Sequence, residues 1–151
     1  MRKHLRRLTP WRAVRRLLPM SACAVLLTPP PADATPPIST SAVTLSKHTV
    51  NGKDYVVSVI TIQPGGSTGW HGHQGEIYGV VKAGTLTHYS RDCTQDGVYT
   101  VGDPITDPTG LDHVHLARNL GAVPVVLEVT YVDPAGAPTA DSLPNPGCDF
   151  E

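Results

Sequence analysis

The sequence has few aromatic residues, few charges and no long apolar run. Aromatic residues make up 5% and charged residues 17% of the 151 residues, whereas 14 residues are glycine and 15 are proline. Valine and threonine are also frequent, so turn formers and β-branched residues outnumber strong helix formers. This composition excludes a helical bundle, and the length allows one globular domain but not a two-domain enzyme.

Positive charge is scarce beyond the N-terminus. Seven of the twelve Lys and Arg residues precede residue 35, and the chain from Thr35 onward carries five cations against twelve acids, a net charge of −7. Such a surface repels phosphate backbones, so we expect no nucleic-acid partner.

The basic N-terminus leads into a short apolar segment, Leu17–Leu27, and then into Ala32-Asp33-Ala34. This order predicts a secretory signal peptide over residues 1–34, cleaved after Ala34. The apolar segment contains a proline and is shorter than the ~20 residues of a membrane-spanning helix, so we expect no stable membrane span after cleavage. The protein is therefore expected to be secreted or extracytoplasmic. Arg6-Arg7 and Arg15-Arg16 leave both the general secretory and the twin-arginine route open.

Two cysteines remain after cleavage, Cys93 and Cys148. In an oxidising compartment a disulfide between them is expected, and it would join a Pro/Gly-rich tail, residues 134–151, to the domain. Two unpaired thiols are the alternative, because the sequence alone does not bring the cysteines within bonding distance.

Short β-type runs and turn signals fill the chain between a Pro-rich lead-in, residues 35–41, and the tail. Seven runs are predicted as strands: 42–50, 55–63, 77–82, 85–90, 98–101, 113–118 and 123–132. Glycine-containing turns such as Asn51-Gly52, Ala83-Gly84 and Asp96-Gly97 separate them. The pattern predicts a single all-β sandwich or barrel over residues 42–133. Run 55–63 is apolar on both faces, which is consistent with a homodimer.

Four histidines fall in two H-x-H pairs, His71/His73 and His113/His115. Alternate side chains of a strand share a face, so each pair can converge on one point. Imidazole is the commonest protein ligand of divalent transition metals. The pairs predict a site for one divalent metal, and Fe, Mn, Ni, Cu and Zn all remain open.

Around these pairs the chain resembles the cupin superfamily. The residues that match the two cupin motifs are Gly65, His71, His73 and Gly84 in the first, and Gly102, Pro108, Gly110, His115 and Asn119 in the second. The resemblance implies one jelly-roll β-barrel with a metal bound by His71, His73 and His115.

The carboxylate of the first motif is displaced. The family glutamate would stand at position 77, which is Ile77, whereas Glu76 lies one residue earlier. A shift of one residue turns a strand side chain to the opposite face. Either a β-bulge brings Glu76 to the metal, or histidines alone form the site.

Several other side chains have open roles. His113 is a fourth ligand, a catalytic acid/base, or a pocket-lining histidine without a chemical role. Tyr89 is a candidate for proton transfer, with aromatic packing as the alternative. His88 alternates with Leu86, and whether it points into the barrel stays open.

The sequence lacks G-x-S-x-G, a glycine-rich phosphate loop and H-E-x-x-H, so it does not support the enzyme classes that use them. The expected function is an exported mononuclear-metal cupin that acts on a small molecule as an oxygenase or lyase. The alternatives are a non-catalytic cupin that binds a metal or small ligand, and a barrel without a metal. Cupins include enzymes of several kinds and storage proteins, so the resemblance does not supply the reaction.

Overall fold

The computed structural model describes residues 33–151, so the predicted signal peptide lies outside the described residues apart from Asp33 and Ala34. The described residues form ten strands: β1 (Ile38–Val50), β2 (Lys53–Ser67), β3 (His71–His73), β4 (Glu76–Ala83), β5 (Leu86–Ser90), β6 (Gln95–Tyr99), β7 (Pro104–Ile105), β8 (Gly110–Arg118), β9 (Val125–Pro134) and β10 (Asp141–Ser142). Within this part of the chain, no helix is long and apolar enough to cross a membrane.

The strands form two antiparallel groups that wrap around one interior. The first group runs β1-β2-β9-β4-β7, and the second runs β6-β5-β8-β3-β10. They meet where Ser67 at the end of β2 pairs with Arg118 at the end of β8. The result is a nearly closed barrel, which confirms the predicted all-β jelly roll.

Alternating burial along the strands forms the core. In β9, Val125, Leu127, Val129 and Tyr131 are buried, and the residues between them are half-buried or exposed. Because successive side chains of a strand point to opposite faces, this alternation directs one apolar row into the barrel.

Each predicted run differs from its strand at one or both ends, and β3, β7 and β10 were not predicted; two of the differences change how a segment is assigned. Strand β1 begins at Ile38, so the second half of the predicted lead-in belongs to the sheet. Asp96-Gly97 lies inside β6 and is not a turn; the β5–β6 hairpin turns over residues 91–94. There the Asp92 carboxylate accepts hydrogen bonds from the Thr94 backbone N–H at 3.1 Å and the Thr94 hydroxyl at 2.6 Å, which stabilises that turn instead.

The tail packs back onto the barrel. Cys93 and Cys148 form a disulfide with a Cα–Cα distance of 5.5 Å, as predicted. Cys148 belongs to a small apolar cluster with the buried residues Trp70 and Leu116, and Phe150 packs against it. At the other end of the described chain, the backbone N–H of Thr35 donates to the carbonyl oxygen of Leu143 at 2.9 Å.

Candidate metal centre

Strands β3 and β8 bring three histidines together. His71 pairs directly with His115 across the two strands, and His73 lies two residues further along β3. The ring centroids of His71 and His115 are 4.3 Å apart, and those of His73 and His115 are 5.1 Å apart. One nitrogen of each ring lies within 4.8 Å of the other two, so the three can share one ion.

Each of these rings is oriented by a backbone carbonyl. The Nδ1 atoms of His71, His73 and His115 bond to the carbonyl oxygens of Gly69, Thr139 and His113, at 2.8, 2.8 and 3.1 Å. A carbonyl oxygen only accepts, so each Nδ1 carries the proton and each Nε2 has a free lone pair. The buried Nε2 atoms of His73 and His115 have no hydrogen-bond partner among the described residues. This is the arrangement of metal-binding histidines, and the residues fit a divalent metal.

The protonation state of the rings suits a metal as well. Burial lowers the pKa of His115 to about 4, and loss of hydration, with the neighbouring His115 and His73, holds the pKa of His71 well below its usual range. Neutral imidazoles keep the lone pair that a metal requires, so the site is ready to bind at neutral pH.

Two residues that the sequence analysis did not select complete the site. Asp107 has a side chain only 10% exposed, and its two oxygens separate: Oδ1 lies 3.4 Å from His88 Nε2, and Oδ2 lies 3.4 Å from His115 Nε2. His88 is buried, and its Nδ1 lies 2.6 Å from Asp96 Oδ1. His88 therefore lies between two carboxylates, bonded to Asp96 through Nδ1, while its buried Nε2 has no hydrogen-bond partner among the described residues.

The charged groups of the site shift one another's pKa values. Burial alone would lower the pKa of His88, but Asp107 and then Asp96 outweigh it, so the pKa is raised. Burial would likewise raise the pKa of Asp107, but His88 and His115 outweigh it, so this pKa is lowered. Asp107 is consequently a carboxylate, and His88 favours the imidazolium form.

Sequence signals for both residues existed. Asp107 directly precedes Pro108 of the second cupin motif, and His88 shares its strand face with Leu86, which is buried. A large apolar neighbour at the i−2 position favours the inward orientation for His88.

Glu76 does not reach the site. It is exposed, and its carboxylate accepts a hydrogen bond from the Tyr78 hydroxyl at 2.8 Å. Ile77 is buried and lines the cavity. The pairing of β4 with β9 runs without a bulge from Glu76 to Val81, so the pleat directs Glu76 outward, and the bulge considered above is absent.

The two predicted proton-transfer residues also lie elsewhere. His113 is half-buried, with its ring centroid 5.5 Å from that of His115, outside the group of three histidines. The Tyr89 ring packs against Phe150 with centroids 4.7 Å apart, in the cluster beneath the tail. Neither residue lines the cavity. Because His88 points inward, the pleat of β5 turns Tyr89 outward.

The histidines open onto a cavity of about 250 Å³. Apolar side chains form most of its walls: Ile60, Ile77, Leu86, Ile105, Leu127 and Val129. Its titratable lining residues, apart from Tyr131, are His71, His73, His115, His88 and Asp107. Thr139 and Ala140 of the tail also line the cavity, so the tail is part of this site.

Known proteins resemble this chain in fold. The cupin domain family model matches residues 58–132, while no curated protein sequence matches significantly. An uncharacterized conserved protein with a double-stranded β-helix domain from Klebsiella pneumoniae is 25% identical, with 68% of this chain and 81% of that chain covered and a TM-score of 0.52.

Two enzymes of solved structure share the fold. A polyketide cyclase from Streptomyces resistomycificus is 18% identical, with 74% of this chain and 80% of that chain covered and a TM-score of 0.56. A recombinant oxalate oxidase is 18% identical, with 63% of this chain covered and a TM-score of 0.53, and the match spans only 51% of that longer chain. The cupin domain family model over residues 58–132, together with the barrel and the two motifs, shows that the chain belongs to the cupin superfamily.

Proposed function

We propose that this protein is an exported metalloenzyme that binds one divalent transition metal through His71, His73 and His115 and acts on a small organic molecule as an oxygenase or lyase. One observation carries the proposal. All three Nδ1 atoms are bonded to backbone carbonyls, which leaves the three Nε2 lone pairs free, and each ring offers a nitrogen within 4.8 Å of the other two.

The cavity supports a small substrate with an apolar body. At about 250 Å³ it is slightly smaller than the pockets of drug-sized ligands. When bound, the metal supplies a Lewis acid for oxygen atoms of the substrate, or redox chemistry. The apolar walls exclude water, and His88, held by Asp96 at 2.6 Å, is the group best placed to hold a proton beside the substrate.

Export and self-association are parts of the same proposal. The Cys93–Cys148 disulfide supports an oxidising location. Val43 and Leu45 are 60% and 59% exposed on β1, which pairs only with β2 among the described strands; this supports a homodimer through that strand.

A second candidate is a non-catalytic cupin that binds a metal or small ligand. The observation in its favour is that Asp107 lies close to His115 Nε2. If four protein ligands saturate the metal, no coordination position remains for a substrate.

Elemental analysis tests the metal. The protein is purified from its exporting host without chelators, beside a His71→Ala/His115→Ala double variant and a His48→Ala control at an exposed position. We expect about one equivalent of metal in the wild type and the control and none in the double variant. A redox-active metal would favour oxygenase chemistry. Zinc would keep two alternatives open, lyase chemistry and the non-catalytic site in which protein ligands saturate the metal. No metal in the wild type would overturn the proposal.

A further inference from the structure

Within the described chain, Tyr131 is the one buried residue of the cavity lining that carries a hydroxyl. It belongs to the inward row of β9. We propose that Tyr131 binds the substrate by donating a hydrogen bond to one of its oxygens, and that the substrate is a small molecule with a carboxylate or carbonyl group on an apolar body. This inference rests on the proposed function above and names the class of its substrate.

Strand pairing places the Tyr131 ring beside a candidate ligand. Tyr131 lies opposite Ile77 in the pairing of β4 with β9, and both side chains line the cavity. The ring centroids of Tyr131 and His73 are 5.9 Å apart, with the ring planes inclined by 42°. Because both rings line the same cavity, one small molecule can contact Tyr131 and lie next to His73.

The hydroxyl of Tyr131 is free to bond to such a molecule. No hydrogen-bond partner within the described part of the chain acts on it. It is also not one of the fully enclosed side-chain atoms that lack a partner, so it remains accessible from the cavity. A tyrosine hydroxyl is protonated at neutral pH and donates one hydrogen bond, so an oxygen of the bound molecule is a suitable acceptor.

The other hydroxyl groups of the lining do not offer the same contact. The Thr40 hydroxyl donates to the carbonyl oxygen of Ser67 at 2.6 Å, and the Thr68 hydroxyl accepts from the Ala117 backbone N–H at 3.0 Å. The two hydroxyl residues that the tail contributes are not buried.

The contrast between this hydroxyl and the apolar walls selects the substrate class. A polar group held against an apolar wall loses its hydration without gaining a partner, whereas an oxygen at Tyr131 keeps a hydrogen bond. A carboxylate suits the site best, because one of its oxygens can face the metal and the other can face Tyr131. The rest of the molecule should be apolar.

Ligand titration of the cobalt-loaded full chain tests the inference, because the visible absorption of Co²⁺ changes when a ligand binds to it. The two probes are isobutyrate, a carboxylate on a small apolar body, and imidazole. Imidazole bound through one nitrogen can only donate with the other, so it offers Tyr131 no acceptor. The variant is Tyr131→Phe, which removes only the hydroxyl, and Tyr89→Phe is the matched control outside the cavity lining.

We expect Tyr131→Phe to bind Co²⁺ as the wild type does and to bind isobutyrate about tenfold more weakly, with imidazole binding unchanged. Tyr89→Phe should match the wild type with both probes. Equal isobutyrate affinity in Tyr131→Phe and the wild type, or a parallel loss for both probes, would overturn the inference and leave the metal site intact. A cobalt-loaded wild type that binds neither probe would also overturn it. A wild type that binds no Co²⁺, Mn²⁺ or Zn²⁺ would overturn the proposed function together with this inference.

Discussion

The Nδ1 atom of His73 donates a hydrogen bond to the carbonyl oxygen of Thr139, 66 residues later in the chain, at 2.8 Å. The tail thereby orients one of the three candidate ligands. The Cys93–Cys148 disulfide holds the same tail against the second group of strands. Barrel stability and ligand geometry are therefore connected through the C-terminal tail, which also contributes β10 to the second group of strands.

Removing the disulfide should lower both the stability of the fold and the affinity of the site for metal. In the chain-entropy model the bridge, with a sequence separation of 55, stabilises the fold by about 4 kcal/mol, so Cys93→Ser/Cys148→Ser should lose about that much. Metal affinity should also fall, because the acceptor of His73 is held less firmly. Urea unfolding and Co²⁺ titration measure the two effects, and reduction of the wild type should reproduce them. Unchanged stability after reduction would contradict the role given to the bridge.

Replacing His113 with Ala should leave metal binding intact. The contact that matters to the site is the backbone carbonyl of His113, which accepts from His115 Nδ1 at 3.1 Å and survives the substitution. The His113 ring lies outside the group of three histidines. Elemental analysis should find the same metal content as in the wild type. Loss of the metal in the His113→Ala variant would instead support the hypothesis that His113 is the fourth ligand.

Tyr89 should act through packing alone. Its ring contacts Phe150 with centroids 4.7 Å apart. We expect Tyr89→Phe to be neutral for stability and metal binding, and Tyr89→Ala to cost about 2 kcal/mol, less than a fully buried aromatic residue. Thermal and urea unfolding give the comparison. A turnover defect in Tyr89→Phe, once a substrate is known, would return Tyr89 to the catalytic machinery.

A glutamate introduced at position 77 should make the fold depend on metal. Ile77 is 6% exposed, so Ile77→Glu places a carboxylate in an apolar wall and should destabilise the metal-free protein by about 3 kcal/mol. Added Co²⁺ should recover more stability in the variant than in the wild type, because the new carboxylate faces the metal. Ile77→Gln, which lacks the charge, is the matched control. Equal recovery in all three proteins would mean that position 77 does not face the metal.

Acid stability should depend on Asp54. Its carboxylate lies 2.7 Å from Lys47 Nζ and accepts hydrogen bonds from the Thr49 hydroxyl at 2.5 Å and the Gly136 backbone N–H at 2.9 Å. The bond with Lys47, and then those with Thr49 and Gly136, hold the pKa of Asp54 below its ordinary value of 3.8. Its stabilising contribution is therefore complete above the ordinary value and is lost as the pH falls through the folded-state pKa.

The Asp54→Asn variant checks this dependence. It should be less stable than the wild type at neutral pH, and the difference should shrink as the pH falls below the ordinary value. Urea unfolding at a series of pH values measures the difference, with Asp112→Asn as the exposed control. A gap between wild type and variant that stays constant into acid would contradict the depressed pKa.

The sequence by itself determined the fold and three of the candidate ligands. Period-two alternation, glycine turns and two spaced H-x-H pairs are local features, and a strand converts them directly into shared faces. These features selected the two H-x-H pairs, and the resemblance to the cupin motifs implied His71, His73 and His115 among them. The alternation of side chains along a strand also indicated that Glu76 lies on the face opposite to position 77. The regular pairing of β4 with β9 agrees with that orientation.

Tertiary structure decided the remaining site residues, for which the sequence carried only indirect signals. Asp107 lies in a loop, where side chains do not alternate regularly between two faces. Only the packing of that loop against β5 and β8 places its carboxylate oxygens near His88 and His115. Tyr89 and His88 are adjacent in one strand, and only the closure of the barrel decided which of them faces the cavity. The role of Thr139 was hidden for the same reason, because a hydrogen bond between residues 66 apart depends on how the whole chain folds.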